Sequence, residues 1–409
     1  MALLRTELAD VMPVPPRAKA DAISLGLPLG GHLALVSTLT ELEGLKDAWQ
    51  SLEASSGASH GVFQSFEWCS AWSRIYAQGQ TELAVITGYD KGKLAFVFPL
   101  MKTTEGGISM LRWLSEPFGQ YGDVVIADDQ DARRWLAGAW ALIKTFKDVD
   151  LIRLRHVRED SKVRGFLAEA FRSAKSRGGA PCLDLAQYAT QEAYDGRYSK
   201  EQRRRRKRIR KELEERGPVE FRLLDGLCQD KAIRDALAEK QKWIDERALW
   251  SRALACPRLL EFLHELRRSS GRNMRLVTSF MSAGKEPISW EIGLRFKDRH
   301  CGFITSHRAD LTDASPARLH MDLSQRQALK DGMKTFDLMV PCDAHKASWS
   351  DRVIPVQDYY AATSARGWLN GVLYFEFIRP VLRHIYYRAP EPLRHFMTGL
   401  AKLKRSILT

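Results

Sequence analysis

The densest set of groups able to move a proton lies in residues 288–308. Ile288, Trp290, Ile292 and Leu294 alternate with Ser289, Glu291, Gly293 and Arg295, the two-residue period of a half-buried strand with one polar face. A turn centred on Asp298 sets Glu291 opposite Thr305 and Ser289 opposite His307. Glu291 and His307 then share one face, and either can serve as a general base. A solvated polar sheet face accounts for the same pattern without chemistry.

Further along, Asp337 ends a predicted strand over Lys334–Met339, where the loops of an α/β sheet build ligand sites. Lys346 and Trp349 follow on a loop. The lysine suits an anionic donor group and the indole suits a sugar face or a channel wall. A structural Asp337–Lys346 ion pair is the alternative. Ser315-Pro316 reads as a helix start, with serine as N-cap and proline at the first helical position. The basic run Arg203–Arg208, with Arg204 and Arg208 as candidate anion-binding groups, lies in a predicted helix. Ser199 and Gln202 form its capping box, and Gly217-Pro218 stops it. The run has no aromatic interleaving and no recognition motif, which disfavours nucleic acid. It fits an anionic polymer or phospholipid, or a plain solvated face.

These groups sit in a chain of 409 residues, long enough for two domains, with a net charge of +13 that favours an anionic partner. The six cysteines are scattered and form no CxxC pair. Neither a metal site nor a disulfide framework is expected, and a reducing compartment fits. The first 20 residues carry Glu7, Asp10 and several prolines in place of a signal-peptide apolar region. No run reaches the roughly 18 apolar residues of a spanning helix. A cytoplasmic protein, peripheral on the inner membrane, is the expectation.

Two stretches place their elements in the same order. In the first, Leu83–Tyr89 and Leu94–Leu100 flank an Asp90–Lys93 turn, a helix follows near 131–147, and Asp150–Leu154 is a strand. In the second, Asn273–Phe280 and Ile288–Phe296 flank Ser282–Lys285, a helix follows near 316–331, and a strand covers Lys334–Met339. The repeat suggests two copies of one mixed α/β domain. The expected organisation is a flexible arm (1–31), a first domain (32–190), a basic linker helix (191–218), a second domain (219–350) and a basic amphipathic tail (351–409). In the tail, Trp368–Ile378 is apolar. Arg366, Arg379, Arg383, Arg388, Arg394, Lys402, Lys404 and Arg405 surround and follow it, suiting either an anionic lipid surface or a helix docked on the protein's own core.

Three motifs in order carry a family resemblance. Gly61-Val62-Phe63-Gln64-Ser65-Phe66-Glu67-Trp68, the basic helix Ser199–Arg210, and Phe336-Asp337 followed by Asp343, Lys346 and Trp349 resemble the CelD/BcsL-like cellulose-biosynthesis family of the GNAT superfamily, related to the FemAB-like transferases. The resemblance spans roughly residues 60–350. It implies tandem GNAT-like acyltransferase domains of mixed α/β sheet, acyl-CoA as donor, no metal, and a polysaccharide, sugar or amine acceptor. In that frame Glu291, His307 and Asp337 are the catalytic candidates. Ser315, Lys346, Trp349, Arg204 and Arg208 are the donor- or substrate-binding ones, with the helix after Ser315 pointing its amides at the donor pyrophosphate. His345, Cys342 and Ala317 depart from the family's pattern. The usual glycine loop is also missing. Asp310 and Asp313 stand in its place and are expected to weaken donor binding. An aminoacyl transferase and a non-catalytic scaffold at the membrane are the other readings. The first-half candidates Glu67, Asp123 and His156 have no chemistry-bearing spacing.

Overall fold

The computed structural model describes residues 24–27, 30–224, 226–249, 251–390 and 392–393. Most of the expected N-terminal arm, and the tail residues Arg394, Lys402, Lys404 and Arg405, lie outside the described residues.

The first half opens with strands β1 (Ser24–Gly26) and β2 (His32–Val36) and helices α1 (Leu39–Gly44), α2 (Lys46–Ser55) and α3 (Phe66–Tyr76). Strands β3 (Thr81–Leu83), β4 (Val85–Asp90), β5 (Lys93–Phe98), β6 (Leu100–Glu105), β7 (Ile108–Trp113) and β8 (Val125–Ile126) follow. Then come α4 (Ala132–Ile143), β9 (Leu151–Arg158), α5 (Arg164–Ala170) and β10 (Arg172–Asp184). Helices α6 (Gln191–Gly196) and α7 (Lys200–Glu214) lead into the second half. It comprises β11 (Val219–Leu224), α8 (Cys228–Glu246), α9 (Leu259–Ser269), β12 (Met274–Ala283), β13 (Glu286–Phe296), β14 (Arg299–His307), α10 (Pro316–Lys330), β15 (Thr335–Asp337), α11 (Ala344–Ala347) and β16 (Arg352–Ala362). Helices α12 (Ala365–Trp368) and α13 (Arg379–Arg388) close the described chain.

A five-stranded sheet runs β1-β2-β4-β5-β8, and an eleven-stranded sheet runs β11-β12-β13-β14-β15-β10-β16-β9-β7-β6-β3. Within the large sheet only β7 with β9 and β14 with β15 pair in parallel. Each parallel pair is joined through a helix, α4 or α10, because parallel neighbours need a crossover. The centre of this sheet reads alike from either end. Each half runs strand, helix, parallel strand, short helix, strand, and the halves then exchange their last strands. Strand β10 of the first half pairs with β15 of the second, β16 of the second pairs with β9 of the first, and β10 pairs with β16.

This exchange revises the reading of residues 351–362, which the sequence placed at the start of a tail. They form a central strand of the large sheet. Pro355 hides it, since proline is normally an edge-strand residue; here it stands opposite Gly179.

The core that joins the halves explains the Phe63–Trp68 motif. Ser65 caps α3, accepting from Trp68 N. Trp68 is fully buried, donates from Nε1 to Ser115 Oγ at 2.7 Å, and meets Phe262 of α9 edge-on at 5.0 Å between ring centroids. The motif is packing between halves. Helix α7 has the expected Ser199–Gln202 capping box and buries Ile209 and Leu213. Those two and Arg206 recur at helical spacing, so the remaining arginines face solvent.

Candidate active site

Strands β13 and β14 pair with Glu291 opposite Thr305 and Ser289 opposite His307, although the turn is Lys297–Asp298, with Phe296 opposite Arg299. The register then slips: Ile292 faces Ile304 but Gly293 faces Gly302. Phe303 is the extra residue, a β-bulge that bends its strand. Its ring packs against Trp68 at 5.5 Å and Phe63 at 6.2 Å, so the first-half motif props the bulge of the second half. On its other edge β14 pairs with β15 only through Arg299–Cys301. Beyond that point the two strands part.

The parting opens into a cleft of about 800 Å³. Gly302–Thr305 form one wall, Gly178, Gly179 and Val356 contribute to its lining from the exchanged strands, and Lys240 and Lys346 reach it from α8 and α11. Lys346 Nζ donates to the carbonyls of Met339 (3.1 Å) and Val340 (3.3 Å). Burial lowers the pKa of both lysines. Lys240, also repelled by Lys346 and Arg247, falls to about 8. Two half-buried ammonium groups, one of which is repelled by the other, form a site that an anion would stabilise.

Glu291 does not meet His307. It is buried, and its Oε1 accepts from His300 Nε2 at 2.7 Å and Ser324 Oγ at 2.9 Å. Gly293 makes this contact possible, since a Cβ there would stand 2.9 Å from His300 Nε2. Burial opposes the charge on Glu291, but the hydrogen bonds from His300 and Ser324 hold its pKa below the ordinary value. The carboxylate is thus a brace between β13, β14 and α10. His307 is half-buried, 3.4 Å from Thr312 Oγ1. Burial, then Lys240 and Arg247, push its pKa down, so it is neutral near pH 7.

Asp337 is fully buried, and its hydrogen-bond partners are other groups than the Lys346 of the alternative ion pair. Asp337 accepts from Tyr121 Oη (2.7 Å), Arg299 Nη1 (2.9 Å), Arg158 Nη1 (3.2 Å) and Met339 N (2.9 Å). This is an inter-half clamp. Trp349 also departs from expectation. It is buried against Tyr198, with the Arg206 guanidinium 4.9 Å above its ring, and apolar aromatic area favours this enclosure over display in a cleft. Arg206, which pairs with Asp322 at 3.1 Å, is the structural member of the basic run, whereas Arg204 and Arg208 are exposed. Ser315 precedes Pro316 as expected but does not cap: at φ 54° its Oγ turns back toward Asp313 O. Asp310 is held bidentately by Arg308 at 3.0 and 2.7 Å, which offsets the repulsion expected from it.

The first half contributes residues that sequence spacing did not reveal. Arg155 and His156 together oppose Asp358 in a second bulge, between β9 and β16. His156 adopts a left-handed φ of 52° and donates its backbone N–H to Asp358 Oδ1 at 2.9 Å. All three line the cleft. A non-glycine residue held there is a mark of functional sites. Asp123 instead anchors loops, accepting from Val124, Lys162 and Val163 backbone amides, and Glu67 is buried near Gln50. Among the described residues no group of His, Cys, Asp and Glu side chains suits a metal ion.

Residues 200–347 match a family model described as an acetyltransferase (GNAT) domain. FemX superposes with a TM-score of 0.57 at 8% identity, over 80% of this chain and 98% of FemX. The fold is tandem GNAT-like. A conserved protein of unknown function from Bacteroides thetaiotaomicron VPI-5482 gives a TM-score of 0.50 at 11% identity, over 80% of this chain and 97% of that one. A tandem GNAT protein from the clavulanic acid biosynthesis pathway gives 0.48 at 10% identity, over 81% and 99%. No curated protein sequence matches the chain. In this GNAT-like frame the matched segment contains β14, β15, α10, Lys240 and Lys346.

Buried titrating groups give the fold a pH signature. Burial holds His320 and His156 at about 4, below their unfolded value, so the unfolded chain binds more protons between about pH 4 and 6.5. Stability is therefore lost as pH falls through that window, by at most about 3 kcal/mol per histidine. Burial, then the Glu67 charge, raise Glu53 to about 8. Its contribution is present below its unfolded value and is lost as pH rises toward 8. Urea unfolding is expected to show maximal stability near pH 6.5, and His320→Gln should flatten the acid limb. A monotonic rise in stability from pH 6 to 9 contradicts these assignments.

Proposed function

We propose that the chain transfers an acetyl or other acyl group from a CoA thioester to an amine, sugar or polysaccharide acceptor in bacterial cellulose, exopolysaccharide or envelope assembly, as in the CelD/BcsL-like family, working on the cytoplasmic side at the inner membrane. The carrying observation is the parting of β14 from β15 at the Phe303 bulge, beside two half-buried lysines. An open strand edge offers backbone hydrogen bonds to an extended thioester arm, and the lysines offer charge to its phosphates.

The protein needs to supply little more than orientation and proton transfer. The acceptor's lone pair attacks the thioester carbon, the C–N or C–O bond forms, and the C–S bond breaks with its electrons on sulfur. His307, neutral and at the end of the open edge, is assigned to take the acceptor's proton. Water protonates the thiolate. Glu291 and Asp337 become positioning groups, and the wall formed by Arg155 and His156 of β9 with Asp358 of β16 is assigned to the acceptor. A scaffold without turnover is the second reading, favoured by the burial of Glu291 and Asp337.

The test is release of free thiol from acetyl-CoA in the presence of glucosamine. His307→Gln is expected to lower kcat by roughly 10²–10⁴ with donor affinity retained. Wild-type turnover in this variant removes His307 from the mechanism, and absence of thiol release with any amine or sugar acceptor favours the scaffold.

A further inference from the structure

Residues 365–388 form one continuous helical rod: α12, a π-helical stretch over Leu369–Ile378, and α13. One side of the rod is docked on the protein. A Cβ on Gly367 would stand 1.7 Å from the Asp150 carbonyl oxygen, and one on Gly371 would stand 3.1 Å from Leu151 Cδ1. Ser364 Oγ donates to Asp150 Oδ1 at 2.6 Å, and Tyr386 Oη donates to the Ala248 carbonyl at 2.5 Å. The rod is thus fixed in orientation, and the two sequence-level alternatives, docked helix and lipid surface, apply to opposite sides of it.

The other side is apolar and open. Trp368, Leu369, Leu373, Ile378, Val381 and Ile385 are each 45–57% exposed. The i→i+5 bonding of a π-helix keeps residues four and five apart on one side, so Leu369, Leu373 and Ile378 extend the row that Val381 and Ile385 continue. Large exposed apolar surfaces of this kind are covered by something. Charge decides the occupant. Exposed Arg366 and Arg388 stand at the two ends of the rod, and residues 364–409 hold eight arginines and lysines against two glutamates. Among the described residues no helix is long and apolar enough to cross a membrane. A fixed helix with an apolar outer face and cationic ends matches an interfacial element lying in the plane of an anionic bilayer.

We propose that the outer face of residues 365–388 seats the protein on the surface of an anionic phospholipid membrane. The proposal rests on this surface alone and is independent of the cleft chemistry. It is tested by co-sedimenting the full chain with vesicles of phosphatidylcholine, with and without phosphatidylglycerol. Binding is expected only with phosphatidylglycerol, weakening at least about tenfold when salt rises from about 0.1 M to about 1 M. Leu373→Glu/Ile385→Glu is expected to lose binding by at least about tenfold with an unchanged melting temperature, because both side chains are already exposed. Equal vesicle binding by this variant and the wild type overturns the proposal. So does a wild-type dimer that the variant converts to monomer without any vesicle binding, since a second copy then covers the face.

Discussion

Asp337→Ala is expected to lower the unfolding free energy by about 3–5 kcal/mol, the usual cost of removing one partner from a buried ion pair. The carboxylate has no exposed surface and takes hydrogen bonds from Arg158 and Tyr121 of the first half and Arg299 of the second. Removing it leaves two guanidinium groups facing each other inside the protein. Arg158 keeps Asp160 at 2.8 Å, and Arg299 keeps Ser59 Oγ at 3.3 Å. Asp337→Asn preserves shape and some hydrogen bonding and should cost less. Because the clamp spans both halves, urea unfolding of Asp337→Ala should become less cooperative as well as earlier. A loss below about 1 kcal/mol would mean that the inter-half aromatic core, Trp68 against Phe262, carries the association without the clamp.

The second large effect concerns the donor. Lys240→Ala/Lys346→Ala is expected to raise the dissociation constant for acetyl-CoA at least about a hundredfold, since charge-assisted hydrogen bonds contribute about 1.5–3 kcal/mol each and 1.4 kcal/mol is tenfold. The pH dependence has a definite sign. With Lys240 at about 8, its positive charge is present at pH 7 and is lost as pH rises above 8, so donor affinity should fall in that direction. Calorimetric titration at pH 7 and pH 9 measures this. Equal affinity at both pH values, or an unaffected double variant, would remove the lysines from the donor site.

Local signals were legible where short-range physics fixed them. Alternation from Ile288 to Arg295 marks the strand, but the turn falls at Lys297–Asp298 with Phe296 opposite Arg299, and the Phe303 bulge is what brings Thr305 opposite Glu291; a serine with a glutamine three residues on suffices for the α7 cap. The site itself was only partly legible. The slip at Phe303 depends on rings supplied from residues 63 and 68, and no local pattern announces it. Glu291 was paired in expectation with His307, on its own face, but Gly293 lets His300 cross over to it. His156 and Asp358 are separated by about two hundred residues and meet only because the halves exchange strands. Trp349 is typical of aromatic side chains near a suspected site: the residue type suits both ligand stacking and a core, and only packing against Tyr198 and Arg206 decides.

The central claim is that the open edge of β14 holds the thioester arm of the donor. Hydrogen–deuterium exchange of the full chain with and without acetyl-CoA addresses it at the backbone. The account predicts slowed exchange in Gly302–Thr305 on donor binding, with β11 and β12 on the far side of the sheet unchanged. Acetyl-CoA that binds while exchange in Gly302–Thr305 stays the same, with protection appearing elsewhere, would contradict it.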